Sequence, residues 1–372
     1  MRIVDIVVRP IAVDLPLAFS GGTYNLARRA SILCRITTDA GHAGYACVGN
    51  EAKYTEHFFS LLRGPFKQIL VDSDPMATSA IWERMVKHAT GYVDRASVMM
   101  AMATVDTTLW DLKGKICGQP LYKLLGGHVD RVPIIGIGGY YETSTDADGI
   151  RREIAEYRRQ GLAGIKFKVG ALAIEADAER VRVARQAAGD DFAIVVDSNM
   201  AWTPDVAVRF ANSIRDMNPA WLEEPVHWRN VVRGLREVRS KTGIPVGAGQ
   251  TEESVYGCWA LLAGESVDVI NVTSNRGGGP TAWMRIAAAA SLVDVRMGQV
   301  AEPHVSMHLM AAIPNATFVE CYPDARRDPF WDKLYLDRPA VENGCIRLPD
   351  KPGIGLTIDE AAVERWAVGP WA

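Results

Sequence analysis

Gly164-Ile165-Lys166-Phe167-Lys168-Val169-Gly170 is a short run fenced by glycines and apolar apart from its two lysines. Its length and its bounding residues predict a buried strand. Side chains two apart on a strand share a face, so Lys166 and Lys168 point the same way. Two ammonium groups on one buried face disfavour each other's charge, and a lysine treated in this way can act as a base near neutral pH. The alternative is a strand end whose lysines reach out to solvent.

Working outward, the same unit recurs. Apolar runs stand at residues 132–137, 164–169, 192–196, 221–222, 244–248, 267–272, 295–300 and 317–319. Stretches of mixed charge and alanine with helical spacing, such as 175–188 and 204–215, separate them. Eight strand–helix alternations predict a parallel α/β barrel of the TIM type over residues 126–324. An open doubly wound sheet is the alternative, but no GxGxxG follows the first strand, and Gly277-Gly278-Gly279 alone is a weak phosphate signal.

Residues 1–125 have a different rhythm and predict an α+β module. Strands are expected at 3–13 and 30–38, loops at 16–24 and 41–54, and helices from about 55, one of them over 95–115. The tail, 325–372, is rich in Pro and Gly with a strand-like 345–348, and is expected to pack back onto the first module. The fold class is therefore a modified TIM barrel with an α+β capping domain completed by the tail.

The 372 residues carry a net charge of −3, with 48% hydrophobic and 23% charged residues. This balance fits an ordinary globular protein and offers no basic footprint for nucleic acid. Neither a signal peptide nor a membrane span is expected, so a cytoplasmic location is. Six scattered cysteines without a CxxC pair argue for a reducing compartment and against a zinc cluster; they read as small buried side chains.

Catalytic groups of such barrels sit at the C-terminal ends of the strands. Those ends here are Lys166 and Lys168, then Asp197-Ser198-Asn199, Glu223-Glu224-Pro225, Gln250-Thr251-Glu252, Asn271-Val272-Thr273, Glu302-Pro303-His304 and Glu320-Cys321. Oxygen donors from three neighbouring strands, with no sulfur and no paired histidines, suit Mg²⁺.

With these motifs the chain resembles the enolase superfamily, in its mandelate racemase/muconate lactonizing enzyme-like branch. The Lys166-x-Lys168 pair, Val196-Asp197-Ser198-Asn199, Trp221-Leu222-Glu223-Glu224-Pro225, Gly278-Gly279, Pro303-His304, the stretch 308–320, Gly126-Gly127 and Pro352-Gly353-Ile354-Gly355 carry the resemblance. It implies a (β/α)7β barrel under a capping domain. It also implies Mg²⁺-assisted removal of the proton α to a small carboxylate substrate. Mapped onto this chain, Lys168 is the base and Lys166 lowers its pKa and contacts the carboxylate. Asp197, Glu223 and Gln250 ligate the metal, His304 stands on the opposite face as base or acid, and Glu320 hydrogen-bonds the enolate oxygen. Asn199, Thr273, Tyr24, Asn25 and Tyr54 are expected at the substrate, with Arg28, Arg29 and Lys53 as further polar contacts. A homo-oligomer is also expected.

Two positions depart from the family pattern. Gln250 stands where a Glu ligand is usual, with Glu252 as an alternative, and Thr273 stands where the barrel histidine's Asp partner is usual. An unpartnered histidine is a weaker base. One strong base favours dehydration of a hydroxylated sugar acid to a 2-keto-3-deoxy acid. Racemisation or epimerisation of a 2-hydroxy or amino acid is the alternative reaction, and a non-catalytic small-acid binder the alternative class.

Overall fold

The N-terminal residues form a three-stranded antiparallel sheet, β1 (Ile3–Ser20), β2 (Asn25–Thr38) and β3 (Ala43–Glu51), in the computed structural model, which describes residues 1–51, 54–89, 94–144 and 146–372. Both expected loops are largely strand. β1 continues to Ser20 through a register shift between Asp14 and Phe19, so the loop shrinks to the turn at residues 21–24. Pro10 and Pro16 are tolerated because β1 is an edge strand, where a missing N–H need not face a partner. Gly44, which read as loop, lies within β3, where a Cβ would lie 2.6 Å from the Leu112 side chain. It is there for close packing and not for a turn.

Leu112 belongs to the helix Arg95–Cys117, which starts on an Asp94 cap and stops at Gly118 with left-handed backbone. This helix joins the sheet to the barrel. Its buried Asp106 accepts from the Thr281 backbone N–H (2.7 Å), and Trp82 Nε1 donates to the Gly278 carbonyl (2.8 Å). The triple glycine therefore serves packing between the two parts of the chain. A Cβ on Gly278 or Gly279 would run into Met99 or Asp106.

The barrel strands are β4 (Arg131–Gly138), β5 (Gly164–Lys168), β6 (Ala193–Asp197), β7 (Trp221–Glu223), β8 (Val246–Ala248), β9 (Val269–Asn271), β10 (Arg296–Gln299) and β11 (Ala316–Cys321). Each pairs in parallel with the next, and β11 pairs with β4 to close the ring. A helix follows each strand from β4 to β10, whereas the tail follows β11, which is the (β/α)7β form.

The tail divides. β12 (Val341–Glu342) and β13 (Cys345–Arg347) attach to β4, at the N-terminal end of the barrel, and not to the first module. The last residues do return to the N-terminal sheet: Val368 N donates to the Pro10 carbonyl (3.1 Å) and Val8 N to the Ala372 carbonyl (2.9 Å). Among the described residues no helix is long and apolar enough to cross a membrane.

Candidate active site

Parallel register places Lys168 beside Asp197 and Asp197 beside Glu223, so the ends of β5, β6 and β7 present one layer of ionisable groups. Glu320 enters the same layer from β11, and Asn271 at the end of β9 bridges two of the acids, donating to Glu223 Oε2 (2.9 Å) and Glu320 Oε1 (3.0 Å). All are buried.

The lysines do not mainly face each other. Lys166 Nζ lies 2.5 Å from Glu223 Oε1, 3.2 Å from Glu320 Oε2 and 3.5 Å from Asp197 Oδ2. Lys168 Nζ lies 2.5 Å from Asp197 Oδ2 and 3.1 Å from Asn199 Oδ1. The expected mutual lowering of the lysine pKa values is therefore reversed. Burial alone would lower both, but the carboxylates outweigh it and hold both above the ordinary lysine range. Conversely Asp197, despite burial, is held low by Lys168 and Lys166. Glu223 is pushed up, first by burial and then by Asp197 and Glu320.

This floor suits a hard divalent cation. Three carboxylates against two ammoniums leave one net negative charge, and the Lys166 ammonium already stands among all three acids. Glu223 Oε1 has the Lys166 ammonium as its close partner, the place that a bound cation would contest. Among the described residues no three His, Cys, Asp or Glu side chains gather round one metal-sized centre. The donors at hand are Asp197, Glu223 and the Gln250 amide, all oxygen, which matches Mg²⁺ better than Zn²⁺. Gln250 lines the mouth, its backbone N–H fixed to Glu224 Oε1 (2.9 Å). Glu224 is itself buried and pushed up to about 8, by burial first. Glu252 lies against Gly257 in the next helix and does not line the mouth.

Above the floor is a cavity of about 470 Å³. Lys166, Lys168, Asn199, Gln250, Thr273, Tyr24 and Asn25 line it, as do Arg29, the strand-end Glu302 and, unforeseen from sequence, Val300 and Tyr322. The N-terminal turn is pinned over the mouth by Thr23 Oγ1, which donates to the Asn199 carbonyl (2.8 Å). Glu302 accepts from the Gly49 N–H (2.6 Å).

Other expected residues lie elsewhere. His304 does not line the cavity; its Nε2 is 2.7 Å from the Cys47 carbonyl and its ring lies beside Tyr335. Ala301 and Glu302 both take left-handed backbone, so the chain has turned away from the mouth before Pro303 opens the helix that carries His304. Burial lowers His304 to about 4, which keeps it neutral. β10 thus offers Val300 and Glu302 to the mouth where an imidazole was expected. Tyr54 is also outside the cavity lining; its hydroxyl donates to the Val48 carbonyl (3.3 Å) and its ring packs on Phe58. Arg28 pairs with exposed Asp14, and Lys53 lies outside the described residues. The signal for Tyr322 was its place two residues after Glu320, just past the end of β11.

Comparison with known proteins agrees with this layout. The mandelate racemase/muconate lactonizing enzyme N-terminal domain matches residues 2–126, and the enolase C-terminal domain-like family matches residues 149–362. Arabinonate dehydratase of Saccharolobus solfataricus is 28% identical over 346 residues, 90% of each chain. The 3,6-anhydro-alpha-L-galactonate cycloisomerase of Streptomyces coelicolor is 29% identical over 303 residues, 81% of each chain. A solved mandelate racemase/muconate lactonizing enzyme from a marine actinobacterium, in complex with magnesium, superposes with a TM-score of 0.92 at 40% identity over 99% of each chain. With both domains matched, and the ring of strands closed as such enzymes require, the chain belongs to the mandelate racemase/muconate lactonizing enzyme family of the enolase superfamily.

Proposed function

We propose that the protein is a Mg²⁺-dependent acid-sugar dehydratase that converts a hydroxylated carboxylic acid to its 2-keto-3-deoxy product. The observation that carries this reading is the one-sided placing of strong bases: Lys168 stands on one wall, and the β10 side offers Val300 and a Glu302 that accepts from the Gly49 N–H, with His304 turned away. Racemisation needs a competent base on each face, whereas elimination needs one base and a proton for the leaving group.

Lys168, as its free amine, takes the α-proton, and Asn199 Oδ1, 3.1 Å from Nζ, orients it. Lys166 holds the substrate carboxylate as a buried donor, and Glu320 with Asn271 borders the position where negative charge grows. Asp197, Glu223 and Gln250 are the residues that would hold the metal. Mg²⁺, when bound, supplies positive charge beside the substrate carboxylate, where the proton-abstraction step builds a dianion. Asp197 and Glu223, which now favour the ammonium forms of the lysines, would be drawn off them by a cation held there, and the free amine of Lys168 would then be favoured. The relatives support the substrate class, since arabinonate and galactarate dehydratases are among them. Cycloisomerase relatives favour a second reading at the level of the reaction. At the end of β9 the cavity is lined by Thr273, Asn275 and Arg276, and not by a lysine that would serve a second face.

The test is proton NMR in D₂O with Mg²⁺ and a panel of aldonates, aldarates and simple 2-hydroxy and amino acids. A 2-keto-3-deoxy product is the expected outcome. Deuterium exchange with inversion and no loss of water would replace the dehydratase by a racemase or epimerase.

A further inference from the structure

We propose that Tyr24 is the general acid of the dehydration, protonating the departing hydroxyl, with Tyr140 and Tyr322 as the hydroxyl chain that supports it; this rests on the dehydratase reading above. The reaction needs such a group, because the β10 side of the cavity lacks an imidazole among its lining residues. Tyr24 lines the cavity and shares a wall with the base: Lys168 Nζ lies 5.7 Å from the centre of its ring. Its backbone is fixed by the turn hydrogen bond from Gly21 N to its own carbonyl (3.1 Å), next to the Thr23 anchor on the barrel.

Behind Tyr24 runs a chain of phenols. Its Oη is 3.1 Å from Tyr140 Oη, which donates to Tyr322 Oη at 3.5 Å, and Tyr322 again lines the cavity. Every ring in this chain is faced by a cation. Lys168 faces Tyr24, the Arg327 guanidinium lies 4.6 Å over Tyr140, and that of Arg29 lies 4.2 Å over Tyr322. Arg29 is fully buried, and the Asp328 carboxylate and the Tyr322 phenol are near enough to favour its charge. Lys168 favours the moment when the Tyr24 oxygen has given up its proton, against the burial that holds the Tyr24 and Tyr140 phenols above their ordinary range.

The step balances within the site. The bond from the α-carbon to hydrogen breaks and its proton goes to Lys168. The electron pair forms the carbon–carbon double bond as the bond from the β-carbon to oxygen breaks. The Tyr24 O–H bond breaks, its proton joins the leaving oxygen, and water departs. The enol then becomes the ketone: the β-carbon takes the proton held by Lys168, and the enol proton returns to the Tyr24 oxygen. Base and acid on one wall make the elimination syn.

The test uses the full-length protein with Mg²⁺ in D₂O and four probes: D-galactarate, D-glucarate, L-arabinonate and D-gluconate. For the acid that wild type dehydrates, Tyr24→Phe is expected to lower dehydration by about 10²- to 10⁴-fold. Exchange of the α-proton into recovered substrate is expected to persist within about threefold of wild type, because Lys168 is intact. The same acid with fluoride in place of the β-hydroxyl is expected to eliminate normally in the variant, since fluoride leaves without a proton. Tyr140→Phe is expected to lower dehydration by about tenfold, again without loss of exchange. Unchanged dehydration by Tyr24→Phe would overturn the assignment. So would joint loss of exchange and dehydration without fluoride rescue, which would make Tyr24 a positioning residue. Exchange by wild type with no dehydration of any probe would instead remove the dehydratase reading, and this inference with it.

Discussion

The two halves of the barrel mouth are unequal. From β5 to β7 the strand ends carry five ionisable or amide groups that touch one another: Lys166, Lys168, Asp197, Asn199 and Glu223. From β9 to β10 the mouth carries Thr273, Asn275, Arg276, Val300 and Glu302, with neither lysine nor histidine among them, and the nearby histidine is committed to the Cys47 carbonyl. Both halves belong to the same parallel ring and share one core, so the difference lies in the terminal side chains and not in the scaffold. The lysines thus gather on one side of the mouth, and a single strong base is the arrangement that the proposed elimination needs and inversion does not.

The largest expected effect breaks the charged half. Lys168→Ala should lower α-proton exchange and product formation together, by about 10²- to 10⁴-fold, as befits loss of a general base. NMR in D₂O reads both, and a wild-type exchange rate in this variant would transfer the base role elsewhere.

The next sharpens the metal reading. Gln250→Glu adds a carboxylate to a donor set with two, and should tighten Mg²⁺ binding on the order of tenfold, about 1.4 kcal/mol, by calorimetry. An unchanged affinity would mean that residue 250 does not touch the cation.

The third tests the quiet half. His304→Gln should leave exchange within about twofold of wild type, in contrast to Lys168→Ala. It should instead change the dependence of stability on pH. His304 and His308 are both held by burial at about 4, below the ordinary 6.5, so the unfolded chain takes up protons that the folded chain refuses. Stability from these groups is present above pH 6.5 and is lost as the pH falls towards 4. Each contributes up to about 3 kcal/mol by linkage. Urea midpoints at pH 7 and 4.5 should therefore fall less in His304→Gln than in wild type, and an equal fall would show that His304 charges while folded.

The smallest effect is at Tyr54. Tyr54→Phe removes a hydroxyl that donates to the Val48 carbonyl and should cost about 1 kcal/mol of stability. The KM for any turned-over acid should move by less than about twofold. A larger change would bring this residue back to the substrate.

Much of the scaffold was legible because its signals are local. Short apolar runs spaced by helical stretches fix eight parallel strands, and side-chain alternation fixes which residues face inward, as with Lys166 and Lys168. The same logic located Asp197, Glu223 and Glu320, because a strand end can be found from its own sequence. Glycine and proline misled where their role was not local: Gly44 and Pro16 read as loop but serve close packing and an edge strand.

What sequence alone determined, then, is the order of elements, the closed ring of strands and the identity of the groups at each strand end. Tertiary structure decided the charge state and the company of those groups. Lys166 and Lys168 are held above the ordinary lysine range and not below it, because carboxylates from three other strands lie 2.5 to 3.5 Å from them. His304 left the mouth because two left-handed residues turned the chain before its helix began. Tyr24, Tyr140 and Tyr322 lie 116 and 182 residues apart along the chain, and only folding joins their hydroxyls. Coulomb energy and hydrogen bonding depend on distance in space, and no local pattern of residues encodes that distance.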